Sequence, residues 1–458
     1  MQKYGSLVKQ LQDTREKILD RTLGTCHYCF QIIPMKIIER RGKVFLKKEC
    51  DDCQNKELIL LDNDPDLFQR TVLNFSSEKD FLSIGKPRYN KNVNDKMNEE
   101  AITIALALTS KCNLSCPICM LKLPPLSLLL SWWPDVSLDE IVKLKKYKNK
   151  VIALSGGEPT LREDLPNIIK TVIKTGNIPL LCTNGIKMCN ENYVKELKEA
   201  GLKIVNISFD GFRDNIYKVL RGKKLLYKKL KALKNLRKYK MYVWLTAVIV
   251  KGVNEDQIPS IIKFASLGND FIVGVTFSQL YTGNLKIKEK ITSSDILKII
   301  EKTTGIKSEQ FMEEKRFYFN IHKLLEFLNK NAQKIFPSLR ENLIYLKVKG
   351  KKYEPLFPSS KLKEMNKVIE MALTRKSKFK SLMFLIKNIK TFLNRGLITL
   401  ALIFISSRFN FQKASVKSNS HNILKIRVNN VVSSFNEDLN RILSVGNRGP
   451  VPYMYVGS

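Results

Sequence analysis

The chain has 458 residues, with 79 Lys and Arg against 43 Asp and Glu, for a formal net charge of +36. That length has room for a small metal module, one barrel-sized domain and a C-terminal region. The charge favours anionic partners (membrane surfaces, nucleic acid or phosphorylated substrates), although a lysine-rich composition accounts for part of it. The apolar run Leu397–Ile405 is far shorter than the roughly 20 residues that cross a bilayer.

The first informative residues are Cys26-His27-Tyr28-Cys29 and Cys50-Asp51-Asp52-Cys53, two C-x-x-C pairs twenty residues apart. This is knuckle spacing of the zinc-ribbon and rubredoxin kind. Gly42-Lys43-Val44-Phe45-Leu46 between them reads as one arm of a hairpin. Four thiolates close a tetrahedral site, so the expected metal is structural and replaces a core that about fifty residues cannot build. Zinc and a single iron suit it equally. Two disulfides are the alternative, disfavoured because the sequence opens without a signal peptide. Residues 20–56 form the expected knuckle and 57–100 a linker.

An apolar strand at 102–108 leads into Cys112-Asn113-Leu114-Ser115-Cys116-Pro117-Ile118-Cys119. Three thiolates are one short of the four that hold a [4Fe–4S] cube, which leaves one iron open. A zinc knuckle or a chance group of buried cysteines is the bland alternative. The run Leu121 to Pro134 that follows is apolar, suited to a hydrocarbon channel or to a cap on the core. Further strands are expected near 151–155, 178–182, 203–209, 241–250 and 271–278, with helices near 137–147, 163–175, 192–200, 224–239 and 255–267. Alternation of this kind means parallel βαβ units. Ser137 and Asn190 begin plausible capping segments.

Polar or glycine residues close each strand: Gly156-Gly157-Glu158-Pro159, Thr183-Asn184-Gly185, Ser208-Phe209-Asp210-Gly211, then Asn254 and Gln279. In βα barrels, chemistry sits on these loops. Paired glycines let a ligand approach the backbone. Thr183, Asn184, Ser208 and Asp210 are candidate partners for ligand hydroxyls or a carboxylate, and a capped turn is the alternative for the last two. Asn254 and Gln279 are weaker candidates. Cys182 suits a small core position, and Cys189 is a candidate lone ligand. The three histidines, His27, His322 and His421, are scattered, so no general acid or base stands out.

The three-cysteine loop and the GGEP turn, in this order and spacing, resemble the radical S-adenosylmethionine (SAM) superfamily. The resemblance implies an α/β fold: a partial (β/α)6 radical SAM barrel over 101–280, with a small N-terminal metal knuckle. A basic and mainly helical C-terminal region over 281–458 completes the expected chain. It further implies a [4Fe–4S] cluster on Cys112, Cys116 and Cys119, with SAM bound at the open iron and its methionine end at Gly156, Gly157 and Glu158. Thr183, Asn184, Ser208 and Asp210 would serve the ribose and carboxylate. A ferredoxin or flavodoxin would supply electrons for a 5′-deoxyadenosyl radical. A cytoplasmic setting is expected.

With its knuckle, Leu220-Arg221-Gly222 and Lys251-Gly252-Val253-Asn254, the chain is similar to archaeal tetraether lipid synthases and related radical SAM methyltransferases. The likeness resumes near Ile426-Arg427-Val428. The leading expectation is therefore radical chemistry on a lipid or other apolar substrate, including carbon–carbon bonds between lipid tails. A methyltransferase of a pterin-like small molecule is the alternative, and a nucleic-acid-binding protein with a degenerate barrel is the third and least favoured. Tetraether synthases carry auxiliary clusters, whereas here no cysteine follows Cys189. Between Met371 and Asn436 there is no acid, and Phe379, Leu382, Met383, Ile386 and Ile389 recur at helical spacing among lysines. Such a helix suits an anionic membrane surface as a peripheral partner, or packing on the barrel.

Overall fold

The computed structural model describes residues 16–26, 29, 32–71, 103–119, 134–280, 289–328, 342–350, 352–375, 377–392, 423–429 and 453–454. The apolar stretches 121–133 and 397–405 lie outside them. Near the N-terminus, β1 (Lys17–Thr25), β2 (Ile32–Arg40), β3 (Lys43–Glu49) and β4 (Lys56–Asp62) form an antiparallel sheet in chain order. Arg41 and Gly42 join β2 to β3 with φ of 51° and 66°, a two-residue turn whose twist matches the strands. Ile33, Met35 and Ile37 of β2 and Val44 and Leu46 of β3 alternate inward onto Cys26 and Cys50. The fourth strand and the helix α1 (Pro65–Thr71) take up the first part of the stretch that reads as a linker. Their apolar residues have work there: Leu61 and Phe68 close the ribbon core, while Leu67 enters the barrel core.

The larger sheet contains six parallel strands in chain order: β5 (Thr103–Thr109), β6 (Val151–Gly156), β7 (Ile178–Thr183), β8 (Ile204–Ser208), β9 (Tyr242–Ile249) and β10 (Ile272–Gln279). Between them run α2 (Leu138–Val142), α3 (Leu165–Lys174), α4 (Glu191–Glu199), α5 (Asp214–Arg221), α6 (Leu226–Lys238) and α7 (Ile258–Leu267). Ser137 and Glu140 form a reciprocal capping box on α2, and Asn190 accepts from the Tyr193 amide at the start of α4. The sequence predicts one helix between β8 and β9; the structure has two. Gly222, at φ 78°, ends α5 in the left-handed conformation.

The chain continues through α8 (Ser293–Thr304), α9 (Ser308–Leu328), the hairpin β11 (Asn342–Lys349) and β12 (Lys352–Pro355), α10 (Ser359–Leu373), α11 (Lys378–Lys387), β13 (Ile423–Asn429) and β14 (Tyr453–Met454). Among its described residues this region is mainly helical, yet its strands extend the sheet to the order β12-β11-β13-β10-β9-β8-β7-β6-β5-β14. Strand β13 lies parallel beside β10. Residues with one parity along each strand, such as Ile104, Leu154, Leu181, Val205, Leu245, Val275 and Ile426, face the helices and make the main core. The other parity lines the inner face. At the β5–β7 side that face is small and apolar: Ala105, Ala107, Ala153, Leu180 and Cys182.

Candidate functional site

Strand β5 ends at Thr109, and the three-cysteine loop starts there. The glycine turn after β6 fastens it: the Gly157 amide donates to Thr109 O at 2.7 Å and the Glu158 amide to Lys111 O at 2.8 Å. A Cβ on Gly156, whose φ is +118°, would lie 2.4 Å from Thr109 O, and one on Gly157 would lie 2.2 Å from Lys111 O. The two glycines are thus required by the backbone of the cysteine loop itself. Within the loop, the Cys119 amide donates to Cys116 O at 3.2 Å and turns the chain back.

Glu158 is 1% exposed. Its Oε1 accepts from the hydroxyls of Thr160 and Thr183, both at 2.6 Å, and its Oε2 from the Asn184 amide at 2.7 Å. Asn184 Nδ2 donates to Asn113 Oδ1 at 2.8 Å, inside the cysteine loop. The ends of β5, β6 and β7 are therefore one hydrogen-bonded unit. Burying a carboxylate there is tolerable because each oxygen is supplied with donors.

The end of β8 adds charge. Asp210, fully buried, accepts from Arg221 Nε and Nη2 at 2.8 Å each, and from the Val248 amide at 3.1 Å. Its oxygens are engaged by Arg221 and the Val248 amide. Burial opposes the Arg221 charge, but the Asp210 carboxylate more than offsets this and holds the guanidinium firmly protonated. Arg221 also stands close enough to Cys116 for its charge to favour the thiolate. Ser208 Oγ accepts from Lys229 Nζ at 2.8 Å, and the same ammonium donates to Asn184 O and Ser208 O at 2.5 and 2.7 Å. Burial, then the neighbouring Arg221, pushes Lys229 down to about 7. Neither Arg221 nor Lys229 stood out as a site residue in the sequence.

Burial raises the Cys112 and Cys116 thiols, and Arg221 opposes this at Cys116. Asn254 bridges the Val250 amide and the carbonyls of Asp210 and Val248, all at 2.8–2.9 Å. Gln279 Nε2 lies 3.4 Å from Ser293 Oγ. Cys182 faces the barrel interior, its thiol pushed up to about 12 by burial and then by Glu158. Cys189 donates to Lys228 O at 3.0 Å on the helix side, away from the three-cysteine loop.

In the ribbon, the ligand atoms of Cys26, Cys29, Cys50 and Cys53 all lie within 4.8 Å of one another. Cys26–Cys53 and Cys29–Cys50 sulfurs are 3.5 and 3.4 Å apart. A tetrahedron with metal–sulfur bonds of about 2.3 Å has edges of roughly 3.8 Å, so the set fits one ion. Hydrogen bonds from Asn55 pull the Cys53 thiol down to about 6, toward the thiolate that a metal requires.

Residues 106–265 match the Radical SAM superfamily, and residues 18–60 match the HMPTM N-terminal zinc ribbon domain. The chain belongs to the radical SAM superfamily. A 7,8-dihydro-6-hydroxymethylpterin dimethyltransferase from Methanocaldococcus jannaschii is 32% identical over 302 residues, covering 62% of this chain and 58% of that protein. The chain thus spans less than two thirds of that relative's length. A GTP 3′,8-cyclase from Clostridium perfringens strain 13 is 32% identical over 222 residues, covering 47% of this chain and 67% of that one. The crystal structure of Streptococcus suis SuiB bound to S-adenosylmethionine is 18% identical, with a TM-score of 0.36 over 46% of this chain and 50% of that chain, too distant to inform the site.

Membership in the superfamily brings a [4Fe–4S] cluster and SAM as cofactors, with a metal in the ribbon. The barrel residues fit that cluster. Three soft sulfur donors stand on one short loop, and a buried guanidinium beside Cys116 offsets thiolate charge.

Proposed function

We propose that the chain is a radical SAM methyltransferase acting on a pterin-like small molecule. The observation that carries this reading is the 302-residue similarity to the pterin dimethyltransferase, beside the match of residues 18–60 to the HMPTM zinc ribbon. It favours the pterin substrate over the coupling of lipid tails, as does the lack of any cysteine after Cys189 for auxiliary clusters. In this reading Cys112, Cys116 and Cys119 hold the cluster, and Cys26, Cys29, Cys50 and Cys53 hold the ribbon metal. A [4Fe–4S] cluster held there and reduced by a ferredoxin or flavodoxin would supply the electron for reductive cleavage of SAM.

The chain's own residues do the positioning. Backbone of Gly156, Gly157 and Glu158 meets the SAM methionine group, and the Glu158 carboxylate keeps that turn joined to Thr183 and Asn184. Thr183, Asn184 and Ser208 border the ribose, while Asp210 acts through Arg221, which it holds against Cys116. Lys229 ties the ends of β7 and β8 from behind. The SAM that yields the radical keeps its methyl on methionine, so a second molecule must donate the methyl group. The test is anaerobic incubation with excess SAM, a reduced-folate-type one-carbon donor, dithionite and 6-hydroxymethyl-7,8-dihydropterin. A product heavier by one or two methyl groups is expected. SAM cleavage without a methylated pterin would sink the substrate assignment and leave the family intact.

A second reading concerns location. Phe379, Leu382, Met383, Ile386 and Ile389 are 47–71% exposed along α11 and the turn after it. Lys378, Lys380, Lys387 and Lys390 stand among them. That row suits peripheral contact with an anionic membrane. Sedimentation with phosphatidylserine vesicles, lost in Phe379→Ser/Ile386→Ser, is the expected result; equal sedimentation of both proteins would contradict it.

A further inference from the structure

The corner between α5 and α6 packs against the three-cysteine loop. Leu114 and Cys116 of the loop share one apolar cluster with Tyr217 of α5 and with Leu225 and Leu226 at the start of α6. A Cβ on Gly222 would stand 3.7 Å from Ser115 O. Gly222 and Ser115 are both exposed, so this corner carries the protein surface right up to the loop. It is also strongly basic. Residues 215–240 hold eleven Lys and Arg and no Asp or Glu. Four of these cations are engaged: Arg221 holds Asp210, Lys229 is buried, Arg237 pairs with Asp270 and Lys238 with Glu191. Lys218, Lys223, Lys224, Lys228 and Lys231 are exposed, and none of them pairs with a carboxylate among the described residues. Tyr227 stands among them, 74% exposed.

Lys228 and Lys231, three residues apart on α6, share a helix face and repel one another. A helix shaped by stability alone would place acids between them, as happens further along α6 where Lys238 meets Glu191. A surface of one sign steers a partner of the opposite sign onto it. An exposed aromatic ringed by polar side chains is the usual anchor of a protein interface. Nucleic acid would meet the charge equally well, but the contact with the cysteine loop favours a partner that delivers an electron. Electron transfer falls steeply with distance, so a carrier serving a cluster on that loop has to dock where the surface and the loop touch.

We propose that Lys223, Lys224, Tyr227, Lys228 and Lys231 form the docking surface for a small acidic electron-carrier protein. One electron leaves the carrier's reduced iron–sulfur or flavin centre and reduces the oxidised cluster on the cysteine loop, with no bond made or broken. The inference rests on a cluster at that loop and not on the pterin reading. The experiment uses the reconstituted full chain, Lys223→Glu/Lys224→Glu, Lys228→Glu/Lys231→Glu and Tyr227→Ala. A control, Lys170→Glu/Lys174→Glu, makes the same charge change on exposed positions of α3, toward the far end of the barrel. Binding of an acidic ferredoxin is measured by calorimetry at low and high salt, and cluster reduction is timed with reduced ferredoxin and with dithionite. Each double substitution in the patch should weaken ferredoxin binding, and slow reduction by it, about tenfold or more at low salt, with the gap narrowing at high salt. Tyr227→Ala should weaken binding at both salt concentrations. The α3 control, and dithionite reduction of every variant, should stay within about twofold of the unaltered chain, which also shows that each variant is folded and loaded. Ferredoxin binding unchanged in the patch variants, or reduced equally by the α3 control, overturns the docking surface. Binding of single-stranded RNA that is lost in the patch variants, with no binding of ferredoxin, also overturns it. If dithionite reduces no cluster even in the unaltered chain, the cluster reading itself fails.

Discussion

Seven cysteines supply two sulfur sites, and the surroundings of the sulfur distinguish them. In the ribbon, four ligand atoms lie within 4.8 Å of one another, two from each end of an antiparallel hairpin, over a packed apolar core. Nothing further is needed to complete a tetrahedron. In the barrel, three cysteines occupy one loop, and Cys116 lies between apolar clusters and the Arg221–Asp210 ion pair. A site closed by its own side chains stabilises; one left short of a ligand beside positioned charge is built to bind and react.

The largest effect should come from the contact between loops. Gly157→Ala puts a Cβ against Lys111 O, backbone that cannot yield without moving the cysteines. Iron and sulfide after anaerobic reconstitution should fall to near zero while ribbon metal stays at one per chain. Equal loss at both sites would erase the distinction.

Arg221→Met should come next. It leaves Asp210 buried without its cation, and breaking one side of a buried pair costs about 3–5 kcal/mol. Denaturant unfolding should show that loss. Asp210→Asn/Arg221→Met, which removes both charges, should recover part of it.

Cys53→Ser should do the reverse of the glycine substitution. Ribbon metal is lost and N-terminal amides exchange faster, while barrel iron is retained. A matching loss of barrel iron would show the two sites to be coupled.

The smallest effect tests the junction between the regions. Asp62 accepts from Thr292 Oγ1 at 3.1 Å, and burial pushes it up to about 6. A carboxyl raised in the folded state adds stability that is full below its unfolded value of about 4 and is lost as pH rises through about 6. Asp62→Asn should therefore stabilise the protein at pH 8 by about 1–2 kcal/mol and have little effect at pH 4. Urea titrations at both values check this.

Much of the sulfur chemistry and of the alternating fold could be read from the sequence, because cysteine spacing and apolar runs are local signals. The six parallel strands lie within a residue or two of the expected segments. What was missed depends on tertiary placement. Lys229 sits in Leu-Tyr-Lys-Lys-Leu-Lys-Ala-Leu-Lys-Asn-Leu-Arg-Lys, where one buried lysine looks like its solvated neighbours. Arg221 ends a helix, Asp214–Arg221, that lies outside the segment expected to be helical, 224–239. The hairpin β11–β12 and strand β13 are far in sequence from the strands they extend. The glycine turn was identified for its permissiveness, but the backbone that needs it belongs to another loop.

The central claim is that the three-cysteine loop is the site where SAM binds and is cleaved. The direct measurement is electron paramagnetic resonance of the dithionite-reduced, reconstituted protein with and without SAM, with 5′-deoxyadenosine quantified in the same samples. A [4Fe–4S] signal that shifts on adding SAM, with product formed by the unaltered chain and neither seen in Cys116→Ala, is the expected result. A spectrum indifferent to SAM, or equal product from Cys116→Ala, would contradict it.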